Sequence, residues 1–287
     1  MSIASEIRPT PLLREVRYDS GVWRSLVELW ARRDLLRALV ARDLQVRYRN
    51  SILGFFWSLL TPLLQMLIFT FVVKYAFRAP IPNASVNILI GLVAWAYLES
   101  GLLDCCDVIV TSRELVKKIY LPRPALPLAA VLGNLVHMLL SLSVLLVWLA
   151  AIGDYPKLLF VLIVPLVIIE SLVVAGLGMM VAAAHTYYRD IKFALAQLLR
   201  LMFFLTPVMY TSAIIGKTVE GTRYAYLHRL YMYNPLATII ESYRQALLLN
   251  TMPDLGLLLP AALVAVGIFF AGFYTFVRAS WKFPELL

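Results

Sequence analysis

Long apolar runs separated by short basic segments dominate the chain. A helix of about 20 apolar residues crosses the hydrocarbon core of a membrane. Six runs have this length and character, at residues 55–73, 86–103, 124–153, 158–188, 193–216 and 255–277. They lack the strict apolar and polar alternation of membrane barrel strands. The pattern therefore predicts an all-α integral membrane protein with six transmembrane helices.

Two further segments are too polar to cross a membrane. Residues 22–51 alternate apolar and basic positions at helical spacing, which predicts an amphipathic helix in the cytoplasmic interface. A solvated helix joined to the first span is the alternative. Residues 230–249 are apolar but broken by Pro235, Glu241 and Arg244, which predicts short interfacial or re-entrant helices.

The chain thus divides into four parts. Residues 1–21 form an irregular N-terminus, 22–51 the interface helix, 52–280 the membrane domain and 281–287 a tail. The six spans are expected near residues 52–77, 86–110, 125–152, 158–184, 190–212 and 255–279.

Composition indicates a membrane protein, and the distribution of charge predicts which side of the membrane its termini occupy. With 61% apolar and 15% charged residues and a mean hydropathy of +0.80, the chain is too apolar for a soluble domain. Eighteen of the 26 basic residues lie in the N-terminal segment, the two loops and the tail that share one side, so both termini are expected in the cytoplasm. Because these residues lie beside spans, the net charge of +9 indicates lipid contact and no nucleic-acid partner. The adjacent Cys105 and Cys106 offer no disulfide framework.

Three charges fall inside predicted spans: Glu99, Glu170 and Arg200. A charge at this depth is costly unless it faces a partner or a water-filled path. Glu170 and Arg200 lie at matched depth, which predicts a pair between them, with Glu99 as the competing partner. The pair would either fix helix packing or belong to a translocation path.

Several short motifs do not carry a site. Residues 216–218 resemble the end of a phosphate-binding loop, but Thr211 replaces the required glycine. Residues 176–178 resemble a dinucleotide fingerprint without its third glycine, so close helix packing explains them better. His137 and His185 have no acidic partner at ligand spacing, so no metal site is predicted.

Four segments, in order and at the expected ends of the spans, carry a family resemblance. They read RDLQVRYRNS at 42–51, VKKIYLPR at 116–123, YRDI at 188–191 continuing to FFLTPVMY at 203–210, and YNPL at 233–236 with YR at 243–244. Together they resemble the permease subunit of ABC transporters that export O-antigen, capsule and teichoic-acid polymers on lipid carriers. The resemblance runs from about residue 22 to the C-terminus.

The resemblance implies three groups of functional residues. The loop that couples to an ATPase would comprise Leu115, Val116, Lys117, Lys118, Ile119, Tyr120, Leu121, Pro122 and Arg123. Its apolar residues would dock on that partner; a loop lying on the bilayer is the alternative. Contacts with the cytoplasmic interface and lipid headgroups would come from Arg42, Asp43, Arg47, Tyr48, Arg49, Arg189 and Asp190. The external gate and aromatic lining would comprise Tyr210, Tyr231, Tyr233, Asn234, Pro235, Tyr243 and Arg244; for the tyrosines, an aromatic belt at the headgroups is the alternative.

The resemblance also implies the partners. Two copies of the chain would form a conduit in the bacterial inner membrane, with two copies of an ABC ATPase subunit below. ATP and Mg would bind to that partner, and the chain itself would bind no cofactor and catalyse no reaction. The substrate would be a polysaccharide linked to a lipid, of the polyprenyl diphosphate type. An ion-coupled transporter or a membrane-embedded transferase acting on lipid-linked sugars is the alternative function.

Overall fold

A computed structural model describes residues 22–49, 56–76, 83–118, 121–151, 153, 158–219 and 231–286. These residues contain helices, turns and connecting segments, and no strand occurs among them. The helices are α1 (Val22–Ala31), α2 (Arg33–Tyr48), α3 (Phe56–Phe71), α4 (Ala84–Thr111), α5 (Arg113–Lys118), α6 (Ala125–Ala151), α7 (Ile163–Tyr187), α8 (Ile191–Leu205), α9 (Ser212–Val219), α10 (Pro235–Arg244), α11 (Leu255–Ser280) and α12 (Phe283–Leu286). Short π-helical turns at Val72–Ala76 and Gln245–Leu249 extend α3 and α10.

Within the described ranges, four helices are long and apolar enough to cross a membrane: α4, α6, α7 with its preceding turn, and α11. They correspond to the second, third, fourth and sixth predicted spans. The first and fifth predicted spans correspond to α3 and α8, of 16 and 15 residues. As α-helices both are shorter than the roughly 20 residues that a span requires. The π-helical turn carries α3 on to Ala76, whereas α8 ends at Leu205, so the count of six stays a prediction.

Helix α8 ends earlier than expected because of a proline. The fifth span was expected to reach residue 212, but the helix ends at Leu205. Thr206 has φ −105° and ψ 147°, the extended conformation that the following Pro207 favours. The helical path then resumes as the separate helix α9.

Helix α4 lies at the centre of the described bundle. Its residues from Val86 to Trp95 are all buried, as expected for a helix that is apolar on every side. It contacts α6, α7, α3 and α8, whereas α11 packs along the outer side of α7. Gly176 and Gly272 allow the last contact, because a Cβ on Gly272 would overlap the Gly176 carbonyl. The close-packing interpretation of residues 176–178 is therefore confirmed.

The N-terminal segment differs from the single helix predicted over 22–51. It forms two helices separated at Arg32, whose φ of −104° and ψ of 32° interrupt the helical path. Leu29 and Leu39 are buried, whereas Trp30 is 76% exposed. Helix α2 lies against α6 and so reaches the bundle.

Two polar residues fix where the last helices begin. The Asn234 side chain accepts a hydrogen bond from the Leu236 amide at 3.0 Å, and Pro235 occupies the first turn of α10. Asp254 caps α11 through the Gly256 amide at 2.8 Å. At ten residues, α10 is too short to cross a membrane.

Candidate functional site

A cleft of about 520 Å³ opens between α3, α4, α6 and α8, next to the C-terminal end of α2. Two of the three predicted intramembrane charges, Glu99 and Arg200, line this cleft. A charged side chain within an apolar helix is costly unless it meets a partner or water, so both are candidates for contact with a ligand or with water.

The predicted pair between Glu170 and Arg200 is not formed. Glu170 is 2% exposed and accepts a hydrogen bond from the Tyr243 hydroxyl at 2.9 Å. Arg200 is exposed on α8 and lines the cleft with Glu99. Among the described residues, no ion pair joins Arg200 to either glutamate. Matched depth alone misled the prediction, because depth does not fix the direction in which a helix presents a side chain.

Glu99 is held by its own helix. The Trp95 indole donates a hydrogen bond to Glu99 Oε2 at 3.0 Å, and the two residues are four apart on α4. This spacing places both side chains on one side of a helix. Sequence reasoning missed Trp95, although an aromatic donor four residues before an acid within an apolar run was visible in the sequence.

Aromatic rings form one wall of the cleft. Phe203 lies 5.7 Å from Trp95, 5.9 Å from Phe69 and 5.3 Å from Phe204, measured between ring centroids. All four rings line the cleft, and Gln65 adds an amide from α3. The cleft therefore combines flat apolar surfaces with a carboxylate, a guanidinium and an amide.

The cytoplasmic end of the cleft, as predicted from the sequence, holds a polar cluster around Arg47. Arg47 lies 2.5 Å from Asp104, 3.2 Å from Asn134 and 3.5 Å from Asp43. Asn134 also donates to Asp104 at 2.7 Å. Two carboxylates thus already neutralise Arg47, which was expected to contact lipid headgroups.

Asp43 and Tyr48 join the same contact between α2 and α6. Asp43 packs so closely on Gly133 that a Cβ there would lie 2.9 Å from its Oδ2. Burial raises the pKa of the Asp43 carboxyl, and Arg47 acts in the opposite direction. Tyr48 lies 2.6 Å from the His137 ring. These contacts fix α2 to the bundle.

Of the other residues expected at the interface, Arg42, Arg49, Arg189 and Asp190 are exposed. Asp190 stands at the N-cap of α8, but its side chain makes no capping hydrogen bond. The nearby interhelical contact comes instead from Lys192, which pairs with Asp107 of α4.

The loop expected to couple to an ATPase is only partly exposed. Helix α5 presents the charged side chains of Arg113, Glu114 and Lys117. Val116 and Leu121 are buried, contrary to the expectation that they face a partner. The loop packs its apolar residues inward because α5 contacts α4 and the C-terminal helix α12.

The remaining described residues of that loop are buried or half-buried. Pro122 and Arg123 are also buried, and Arg123 donates to the Ser280 carbonyl at the end of α11. Leu115 is half-buried. Ile119, Tyr120 and the side chain of Lys118 lie outside the described residues.

At the opposite end of α4, Arg244 joins three segments. It is 1% exposed and donates to the Asn87 carbonyl at 3.2 Å and to the Val208 carbonyl at 3.0 Å. It also pairs with Glu241 at 3.2 Å. Gly91 permits this junction, because a Cβ there would overlap the Val208 backbone.

The tyrosines expected to line a path differ in exposure. Tyr243 is 1% exposed, so it lines no accessible surface, contrary to expectation. Tyr231 donates to Tyr210 at 3.4 Å, and Tyr210 donates to the Phe204 carbonyl at 2.9 Å beside the cleft. Tyr233 is 65% exposed.

Comparison with known proteins places these features in a family. The sequence profile described as ABC-2 type transporter matches residues 34–248. The O-antigen export system permease protein RfbA of Myxococcus xanthus is 32% identical over 262 residues, covering 91% of this chain and 98% of that protein. Two proteins of the same name from Klebsiella pneumoniae are 30% and 27% identical, each covering 88% of this chain and 95% of its own length.

Proposed function

The chain belongs to the ABC-2 type transporter family, and from this premise we propose that it is the permease subunit of an ABC exporter for a lipid-linked polysaccharide. The similarity to O-antigen export permeases over nearly the whole chain carries the proposal. Transport would run from the cytoplasm outward and draw on ATP hydrolysis in a separate subunit. The ion-coupled transporter and the transferase are not favoured, because no comparison points to either.

The membrane arrangement is part of the proposal. Helices α3 and α8 would complete six spans in the bacterial inner membrane, with both termini in the cytoplasm. The basic loops support this orientation, since lysine and arginine concentrate on the cytoplasmic side of membrane proteins. The helix α10 would serve as a gate at the outer end.

The cleft between α3, α4, α6 and α8 would be half of the conduit. Two copies of the chain would face each other across it, and rotation of their helices would widen and narrow the path. Aromatic walls suit a sliding sugar chain, because ring faces give it apolar contact at many positions along its length. Arg47 and Arg49 are the candidates for contact with the diphosphate of a polyprenyl carrier. Arg49 is exposed and would make this contact, whereas two carboxylates already neutralise Arg47; the exposed Arg42 would be a further cation there.

The loop with α5 would transmit the power stroke. Its exposed Arg113, Glu114 and Lys117 offer a charged docking surface, and its buried Val116 and Leu121 anchor it to the bundle. A rigidly anchored loop would pass a push from the ATPase directly to α4 and α6. ATP and Mg would stay on the two ATPase subunits.

Co-purification tests this function. The chain, tagged and expressed with the ABC ATPase subunit of the same export system, is expected to retain that ATPase and to restore surface polysaccharide in a permease deletion strain. Reversing the charge at the docking surface with Lys117→Glu should release the ATPase. Lys74→Glu, a matched reversal of an exposed lysine in the π-helical turn that follows α3, should not. Equal retention by both variants would contradict the assignment of the loop.

A further inference from the structure

The cleft holds opposite charges that do not pair with each other. Glu99 and Arg200 line the same space, and no ion pair between them occurs among the residues that the structure describes. Arg47, the third charge in the lining, is already neutralised by Asp43 and Asp104. Glu99 and Arg200 together carry no net formal charge, and the Arg47 cluster with its two acids adds no net positive charge that would attract an anion.

The polar groups of the cleft can both accept and donate. Trp95 donates to Glu99 Oε2, and Glu99 lines the cleft, so the carboxylate keeps further acceptor capacity for a ligand there. Arg200 is exposed and presents only donors, and the exposed Gln65 presents both a donor and an acceptor. A ligand that matches this set must itself donate to a carboxylate and accept from a guanidinium at nearby points.

Hydroxyl groups on a ring meet this requirement, since each hydroxyl both donates and accepts. The apolar face of the same ring would lie on the cluster of Phe69, Phe203 and Trp95. A phosphate would meet Arg200 but be repelled by Glu99. An acyl chain would leave all three polar groups without partners, which is costly in an apolar site.

We propose that the cleft is a binding site for a neutral saccharide unit, with Glu99 accepting from ring hydroxyls and Arg200 donating to them. The proposal rests on the proposed function and adds to it a defined contact point for the glycan. Trp95 holds the Glu99 carboxylate toward the cleft.

Equilibrium binding to the detergent-purified transporter complex tests the site. The probe is a lipid-free neutral oligosaccharide, released by mild acid from the polysaccharide of the producing strain and titrated by calorimetry. Glu99→Gln and Arg200→Gln should each weaken binding by about tenfold, the effect of losing one hydrogen bond to a charged group. Arg278→Gln, at the end of α11 and over the Tyr274 ring, serves as the matched control and should bind as the wild type does.

The double variant separates two explanations. If both residues contact sugar, Glu99→Gln combined with Arg200→Gln should bind more weakly than either single variant. If they act only as an ion pair, the double variant should recover wild-type binding, which would overturn the proposal. Gln65→Ala, on another helix and at an exposed position, should weaken binding as well and guards against misfolding of the charge variants.

Inorganic pyrophosphate tests the competing ligand. It should not displace the oligosaccharide; displacement that depends on Arg200 would identify an anion site and overturn the proposal. Wild-type affinity in both single variants would also overturn it. Retention of the ATPase and surface export by the wild type are measured in parallel. If these fail, the proposed function fails, whereas normal export with unaffected variants refutes only the saccharide site.

Discussion

Replacing Arg244 should severely destabilise the protein. Its guanidinium is 1% exposed and binds the carbonyls of Asn87 and Val208 as well as the Glu241 carboxylate. Arg244→Met keeps much of the volume but removes all these donors. The Val208 carbonyl lies just beyond the end of α8 and loses the donor that Arg244 supplies, and Glu241 loses its ion-pair partner.

The magnitude follows from the burial. Breaking a buried charge pair by removing one partner costs about 3–5 kcal/mol, because the other charge is left behind. Since the Glu241 side chain is 12% exposed, water recovers part of this, and we expect about 3 kcal/mol. For a chain of this size, that lowers the midpoint of thermal unfolding by roughly 6 to 12 °C.

Thermal unfolding of the purified protein in one detergent measures the effect. Arg244→Lys keeps the charge but only one point of contact and should lie between the wild type and Arg244→Met. Adding Glu241→Gln to Arg244→Met should recover part of the loss. Arg278→Gln, an exposed arginine, should shift the midpoint by less than about 2 °C. A midpoint for Arg244→Met within 2 °C of the wild type, on the same assay, would refute the role of this junction.

Three further predictions concern packing, hydrogen bonding and pH. Gly272→Ala should destabilise the contact between α7 and α11 by about 1–3 kcal/mol, whereas Gly267→Ala, with open space around it, should not; equal unfolding midpoints would contradict the close contact. Tyr243→Phe removes the hydrogen bond to Glu170 and should cost about 1–3 kcal/mol in the same assay, and an unchanged midpoint would refute the bond. Burial raises the pKa of Asp43 in the folded state, so the contribution of this carboxyl to stability should be lost as the pH rises through its folded pKa. Asp43→Asn should remove this part of the pH dependence of the unfolding midpoint in the acid range. An identical pH profile for the variant and the wild type would contradict this expectation.

The sequence predicts the positions of the long helices better than the points at which helices end or break. Long charge-free runs give the positions of α4, α6, α7 and α11, because lipid and protein interiors both select apolar residues. Pro207 indicates the early end of α8, but the apolar residues beyond it favour a longer span, and the expected span therefore reaches too far. The break at Arg32 has no comparable signal, since arginine is a good helix former.

For the functional residues, the sequence likewise indicates which side chains are unusual but not where the fold places them. Glu99 and Arg200 are predicted correctly as unusual charges, but their placement in one cleft depends on how α4 and α8 are rotated. The two acids that neutralise Arg47 lie in different helices, and Asp104 is 57 residues away along the chain. The predicted exposure of Val116 in the α5 loop is wrong for a related reason, because this side chain is buried against the bundle.

Transport by reconstituted vesicles tests the central claim most directly. The purified chain is incorporated into liposomes with and without its ATPase, and lipid-linked polysaccharide is supplied on the ATPase side. Polysaccharide should reach the opposite side only when both the ATPase and hydrolysable ATP are present. Equal transport by the chain alone, or transport driven by an ion gradient without ATP, would contradict the assignment of this protein as an ATP-powered permease subunit.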